Sequence, residues 1–263
     1  MPERLKYRFI FQARSVISGV ERLTLHSGRD LPVGVDIETN SECSRKCYYC
    51  PRPEGREDVM ESEIFYSLID QLRDWDFKGR LTPSGYNEPL TDDRIFDFLD
   101  YVSKQLPHSD RVLFTNGDFL DGEKLRRLEA AGLDKIIVSF HSPLSEEKER
   151  NLRNLAEGHG NVTIADYRDG HRRIPLQNRG GLVELGEIRK YRPCFYINEM
   201  SIRASGNVTL CCNDANEEHV FGNVHETPLR AIWDQPEFKK LRQEIRAGKY
   251  TNEMCRACGY EKV

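Results

Sequence analysis

Long apolar runs are missing from this chain of 263 residues: none approaches the ~20 that a helix needs to cross a bilayer. A secretory signal is missing too, because the basic amino-terminal stretch MPERLKYRFIFQARSV has its apolar part broken by Gln12 and Arg14. A cytoplasmic location with no membrane partner is the expectation that follows. There is no excess of positive charge: 39 Lys and Arg stand against 43 Asp and Glu, a net −4. That balance argues against nucleic acid as a partner and suits a small, cationic ligand. Internal repeats and low-complexity tracts are absent as well. What remains is the composition of a globular protein, 38% hydrophobic and 31% charged.

Cysteine, by contrast, is plentiful. Eight cysteines without a signal peptide point to metal ligation or redox chemistry rather than to a disulfide framework. Three fall in CSRKCYYC, where Cys43, Cys47 and Cys50 lie four and three positions apart, and no fourth Cys or His within that loop completes a tetrahedral zinc site. Three thiolates on a four-iron cube leave one iron open to a small molecule. The other five are Cys194, Cys211, Cys212, Cys255 and Cys258, and the CxxC at 255–258 taken alone reads as a zinc ribbon.

Around these residues the hydrophobic period alternates. VGVDIET at 33–39 reads as a strand that delivers the chain into the cysteine loop, and residues 61–77 carry the stripe of an amphipathic helix at Ile64, Phe65, Leu68, Ile69, Leu72 and Trp75. Strands at 79–82, 111–115, 135–140 and 162–167 then interleave with helices at 94–106, 122–131 and 146–157. Repeated strand-helix units predict a parallel sheet with right-handed crossovers and a site at its carboxyl edge. The pattern stops at the Gly- and Arg-rich residues 169–181, after which a hairpin near Gly206 and one helix over 229–247 are expected. The expected organisation is an N-terminal helical extension over 1–33 with its helix at 3–26, a core over 34–175 and a smaller domain over 176–263.

The CxxxCxxC run with Tyr49 just before its last cysteine, following the first strand of an α/β partial (β/α) barrel, resembles the radical S-adenosylmethionine (SAM) superfamily. RPC, GNVTLCCND, FGNV, AIWDQPEFKKLR and CRAC resemble the auxiliary-cluster extension of such enzymes in its short "twitch" form. The resemblance implies SAM and two [4Fe–4S] clusters as cofactors, one on Cys43, Cys47 and Cys50 and an auxiliary one on Cys194, Cys211, Cys255 and Cys258. Cys211 is the ligand by this pattern because it falls five residues after the hairpin glycine, Gly206. SAM contacts are implied at Tyr49, at Gly85 and Glu88 of a degenerate Gly-Gly-Glu motif, and at Thr115 and Asn116. DFKGRL, YNEPL, LFTNGDFL and NRGG extend the similarity to twitch-domain enzymes of aminoglycoside biosynthesis. That implies a small-molecule sugar or aminocyclitol substrate met by Tyr86 and Arg179, with Arg179 near the hydroxyl that loses its hydrogen, and an external one-electron donor such as flavodoxin or ferredoxin. Plainer readings stay open: a surface turn at Glu88-Pro89, a type I′ turn at Asn116-Gly117, rim packing for Tyr86, and a salt bridge from Arg179 to the acidic 184–187 region. Asp214, Glu217, Asp166 and Asp169 are candidate partners for a substrate ammonium, each more commonly just solvated.

Three ligands plus four leave Cys212 as the spare thiol, beside a cluster ligand on a segment that faces the substrate cavity in similar enzymes. Thiol S–H bonds are weaker than carbinol C–H bonds, so hydrogen-atom donation from Cys212 to a substrate radical needs only proximity. The expected activity is therefore a radical SAM epimerase, an isomerase that inverts a carbinol carbon with Cys212 as donor. The alternative is a radical SAM dehydrogenase, an oxidoreductase that passes an electron to the auxiliary cluster and yields a ketone. For Cys212 the plain reading is a small buried hydrophobe.

Overall fold

The computed structural model describes residues 30–168, 178–184 and 194–259. One sheet of eight strands runs through it in the order β5-β4-β3-β2-β1-β6-β7-β8. The strands are β1 (Gly34–Ile37), β2 (Arg80–Thr82), β3 (Asp110–Thr115), β4 (Lys135–Phe140), β5 (Val162–Asp166), β6 (Glu199–Ile202), β7 (Asn207–Thr209) and β8 (Val220–Asn223). The first six are parallel neighbours and the last two are antiparallel. Helices α1 (Ser62–Asp74), α2 (Ile95–Gln105), α3 (Gly122–Ala130) and α4 (Glu146–Gly158) alternate with the first five strands. This is the parallel strand-helix arrangement that the period of the sequence predicts and the α/β partial barrel that the resemblance implies, with all loops after β1 to β5 at one edge. The helix expected over 3–26 lies outside the described residues. Among the described residues no helix is long and apolar enough to cross a membrane.

Two cores hold the helices on the sheet. Phe65, Leu68, Ile69 and Leu72 form the buried face of α1. They meet Val35 and Ile37 of β1, Leu81 of β2 and Met200 and Ile202 of β6, and Phe65 stacks on Phe98 of α2 at 4.1 Å between centroids. A second cluster joins Leu99, Leu125, Leu128 and Leu152 of α2 to α4 to Leu113, Ile136, Val138 and Phe140 of β3 and β4. Asp121 and Ser145 cap α3 and α4 by accepting from the N–H groups of Lys124 and Lys148. Three glutamates in the first turn of α4 complement its dipole.

The carboxyl-terminal part differs from expectation in three ways. Residues 199–202 form β6, which pairs in parallel with β1 and carries the same sheet onward into the β7–β8 hairpin. The single helix over 229–247 is two, α5 (Leu229–Trp233) and α6 (Pro236–Arg246), because Pro236 opens a new helix at its first turn. A last helix, α7 (Glu253–Gly259), carries two of the cysteines.

With Val35 and Ile37 turned into the helix-covered core, the alternate residues of β1 face the other side of the sheet. There Asp36, Arg80 and Glu199 form an ion-pair bridge: Arg80 Nη2 lies 3.1 Å from Asp36 Oδ1 and 3.0 Å from Glu199 Oε2. Arg80 and Glu199 flank Gly34 in register, and a Cβ there would come within 3.1 Å of the guanidinium. The missing side chain is what lets the bridge cross β1.

Candidate functional site

Cys43, Cys47 and Cys50 lie on the loop after β1, and that loop is pinned from several directions. The Cys50 N–H donates to Cys47 O at 3.0 Å. Arg45 pairs with Asp118, its Nε donating to Oδ2 at 2.9 Å, and Ser44 Oγ donates to the same oxygen at 2.7 Å. Arg52 Nη1 donates to Ser41 O at 2.8 Å. Burial, and then Cys50 and Cys43, push the Cys47 thiol up to about 11, and burial likewise raises Cys43.

Glu88 is 1% exposed and accepts from Asn116 N at 2.6 Å, Thr115 Oγ1 at 2.7 Å and Leu90 N at 3.1 Å. Burial raises its carboxyl despite those donors. The structure thus gathers Glu88, Thr115 and Asn116 into one network, and Asn116 Nδ2 also donates to Cys43 Sγ at 3.8 Å and Ser44 Oγ at 3.1 Å. Three of roughly four lone-pair directions on Glu88 are used internally, which leaves room for one more donor. Gly85 packs against Glu38, whose Cβ and Oε1 would each lie 3.1 Å from an added Cβ. The Tyr49 hydroxyl is hydrogen-bonded to His141 Nδ1, and His141 stacks on Tyr167 at 5.5 Å. Burial, and then Arg45 and Arg179, depress His141 to about 4, so its ring is neutral at ordinary pH.

The second cysteine set comes from three separate segments. Cys194 precedes the turn before β6, Cys211 follows β7, and Cys255 and Cys258 stand one turn apart on α7. Burial and then Cys194, Cys258 and Asp214 push Cys255 up to about 12, while burial and then Cys212 take Cys211 well above the ordinary thiol range, with Cys194 and Cys255 adding to it. Burial and neighbouring thiols thus hold Cys43 and Cys47 of one set and Cys194, Cys211 and Cys255 of the other in their protonated form, the state that ligation by iron relieves by deprotonating them. Among the described residues no three Cys, His, Asp or Glu side chains close on a single ion. A four-iron cube takes thiolate ligands, and both donor sets are made of cysteine alone.

Arg179 sits between the two sets. It has φ 50°, in the left-handed region, and is followed by Gly180 and Gly181 at φ 70° and 96°. For a residue with a side chain that conformation costs ~1–2 kcal/mol. Tight packing on α7 holds the segment there: Asn178 Nδ2 donates to Ala257 O at 2.7 Å, and a Cβ on Gly180 would fall 2.4 Å from Met254 Cγ. The Arg179 guanidinium lies 5.9 Å from the Tyr86 ring centroid, and its Nη1 donates to Asn213 Oδ1 at 3.0 Å. Burial works against its charge, but Tyr86, Cys212, Tyr196 and Cys50 outweigh it and raise its pKa. It is a fixed cation within electrostatic reach of Cys50 of the first set and of Cys212, the neighbour of Cys211 in the second.

Tyr86 donates its hydroxyl to Cys212 O at 2.7 Å, which ties the rim of β2 to the cysteine segment after β7. The Cys212 thiol is pushed up to about 12 by burial and by Asp36, against Arg179. Asp36, Arg80, Glu199, His141, Asn213 and Arg203, whose guanidinium lies 4.9 Å from the Tyr86 ring centroid, escaped the sequence reading. Asp36 alone left a trace, as a charge alternating with apolar residues in VGVDIET. Of the candidate ammonium partners, Asp214 accepts from the N–H groups of Glu218 and His219, Glu217 pairs with Arg56 at 2.9 Å and Asp166 with Arg168 at 2.6 Å. Asp169 lies outside the described residues.

The family model of the radical SAM superfamily matches residues 37–174, and that of an iron–sulfur cluster-binding domain matches residues 194–259. The chain is 29% identical over 236 residues to an S-adenosyl-L-methionine-dependent 2-deoxy-scyllo-inosamine dehydrogenase of Niallia circulans, covering 87% of this chain and 93% of that one. It is 32% identical over 136 residues to a GTP 3′,8-cyclase of Aquifex aeolicus, covering 48% and 40%. The crystal structure of BtrN in complex with AdoMet and 2-DOIA superposes with a TM-score of 0.78 at 28% identity, over 89% of this chain and 95% of that one. These likenesses correct the expected epimerase and its donor: the enzyme matched along nearly its whole length is a dehydrogenase. Adjacency to Cys211 fixes where Cys212 lies, but a lining residue has the same position, so it carries no hydrogen-donor chemistry by itself.

Proposed function

The chain belongs to the radical SAM superfamily, and from that premise we propose that it is a dehydrogenase that oxidises a secondary alcohol of an aminocyclitol or related polyhydroxylated amine to a ketone. The superfamily domain brings SAM and a [4Fe–4S] cluster, and the iron–sulfur domain brings an auxiliary cluster. Bound in place, these groups would supply a radical that takes the carbon-bound hydrogen and an acceptor for the remaining electron, while the hydroxyl proton would pass to solvent.

The protein's own residues do the rest. Cys43, Cys47 and Cys50 hold the first cluster, and Cys194, Cys211, Cys255 and Cys258 hold the second, within domains at 34–175 and 176–263. Glu88 keeps Thr115 and Asn116 in place at the edge of the SAM site and offers its remaining lone pair to the SAM ammonium, while Gly85 lets that segment lie against Glu38. Tyr49 and its partner His141 line the same edge. Tyr86 bounds the substrate pocket, and Arg179 binds the reacting oxygen. Its permanent charge makes it a stabiliser of negative charge on that oxygen rather than a proton acceptor. Cys212 lines the pocket beside them. A flavodoxin or ferredoxin in the cytoplasm supplies the priming electron, and an antibiotic pathway is the setting in which such a substrate occurs.

The observation that carries this reading is Arg179 itself, a charged donor in a strained conformation between the two cysteine sets. Reconstituted protein, SAM, dithionite and 2-deoxy-scyllo-inosamine with related aminocyclitols test it. The expected result is 5′-deoxyadenosine and a ketone trapped by hydroxylamine in equal amounts; 5′-deoxyadenosine without any ketone from the whole panel contradicts it.

A further inference from the structure

We propose that Asn213 sets the reduction potential of the auxiliary cluster, as the middle of a hydrogen-bond relay from the Arg179 guanidinium to the sulfurs of Cys258 and Cys211. The proposal rests on the cysteine assignment above and adds a residue with no place in it. Three bonds define the relay. Arg179 Nη1 donates to Asn213 Oδ1 at 3.0 Å, Asn213 Nδ2 donates to Cys258 Sγ at 3.5 Å, and the Asn213 backbone N–H donates to Cys211 Sγ at 3.4 Å.

The chemistry at the two ends fixes which way the amide points. A guanidinium has only N–H groups to offer, and a ligating thiolate only lone pairs. The amide oxygen must therefore face Arg179 and the NH₂ group must face Cys258; the reverse would set donor against donor and oxygen against sulfur. Aspartate could accept from Arg179 but not donate to sulfur, and leucine could do neither. Asn213 is 1% exposed, so water does not compete for these bonds. Among the described residues it is the one whose side chain donates to a sulfur of this set.

Hydrogen bonds to ligating sulfur draw charge from the cluster and favour its reduced, more negative form. Two of them from one buried residue raise the potential of the electron acceptor, which is the direction a dehydrogenase needs. Arg179 is the orienting partner: while it holds the amide oxygen, the amide protons stay on Cys258. Because the same guanidinium faces the substrate pocket, the pocket and the cluster are joined through a single side chain.

The full-length chain with Cys43, Cys47 and Cys50 all changed to alanine isolates the auxiliary cluster, and an EPR-monitored redox titration then reads one midpoint. Asn213→Asp keeps the size and the Arg179 contact but loses the donor, so its reduction equilibrium should shift at least tenfold toward the oxidised form, a midpoint lower by 59 mV for one electron. Asn213→Leu should move it the same way, and Asn213→Ser, which retains a donor, should recover part of the shift. Asn213→Asp with Arg179→Gln should shift it by less than the sum of the two single changes. A midpoint within twofold of the parent equilibrium in an Asn213→Asp or Asn213→Leu protein that keeps its four irons overturns the proposal. Failure of the parent triple variant to hold a cluster at all overturns the cysteine assignment instead.

Discussion

Arg179→Gln separates a positioning role in catalysis from a structural one. The change keeps a polar side chain, but one two bonds shorter that ends short of Asn213 Oδ1, the acceptor of the guanidinium at 3.0 Å. It removes the charge and the fork. On the folding side the loss is one charge-assisted hydrogen bond, ~1.5–3 kcal/mol. The left-handed φ of 50° is no easier for glutamine, so no strain is released. On the catalytic side the loss is larger: a charged donor aimed at an oxygen that gains negative charge is worth ~10²–10³ in kcat, or about 2.7–4 kcal/mol. The expected outcome is a folded protein with two clusters, normal SAM cleavage per reducing equivalent and ketone formation slowed at least a hundredfold. Arg179→Lys keeps the charge but cannot bind Asn213 and substrate together through one planar group, so it should fall between the two. The assay is parallel quantitation of 5′-deoxyadenosine and ketone at saturating SAM and varied substrate. A kcat within threefold of the parent, with only KM raised, would refute the assignment of Arg179 to the reacting oxygen.

Other parts of the structure are open to equally direct tests. Gly180→Ala places a Cβ 2.4 Å from Met254 Cγ at a φ of 70°, so it should displace α7 with Cys255 and Cys258; iron analysis should show one cluster instead of two, and Tm should fall by the equivalent of ~1–3 kcal/mol. Glu88→Gln turns one of the oxygens that accept from Asn116 N and from Thr115 and Leu90 into a donor, and should cost about 2–3 kcal/mol in urea denaturation and weaken SAM binding in equilibrium dialysis. His141 titrates near 4 when folded and near 6.5 when unfolded, so the unfolded chain binds the extra proton and stability falls as pH drops below 6.5. The group should cost about 2 kcal/mol between pH 6.5 and 5, and His141→Phe should remove that part of the pH dependence of Tm.

The sequence made the frame legible because the frame is periodic. Stripes of apolar residues at helical spacing, separated by short β-branched runs, predicted β1 to β5 and α1 to α4 close to where they stand. CxxxCxxC is local, so its chemistry could be read without a structure. What escaped depends on contacts between distant residues. β6 is only EMSI, four residues with no alternation long enough to stand out, and its place beside β1 comes from pairing across more than 160 positions. Asn213 gains its meaning from Arg179, 34 residues before it, and Cys258, 45 after it. Asp36 and Glu199 look like ordinary strand charges until Arg80 bridges them over Gly34. Cys212 failed in the opposite sense: its position was legible, but a position next to a ligand does not choose between inversion and oxidation.

The mass of the product formed in D₂O addresses that choice most directly. Reconstituted protein with SAM, dithionite and an accepted aminocyclitol should give a product two mass units lighter than the substrate, with no carbon-bound deuterium, and the same product from Cys212→Ala. A product of unchanged composition carrying one solvent deuterium at an inverted carbon, lost in Cys212→Ala, would contradict the dehydrogenase.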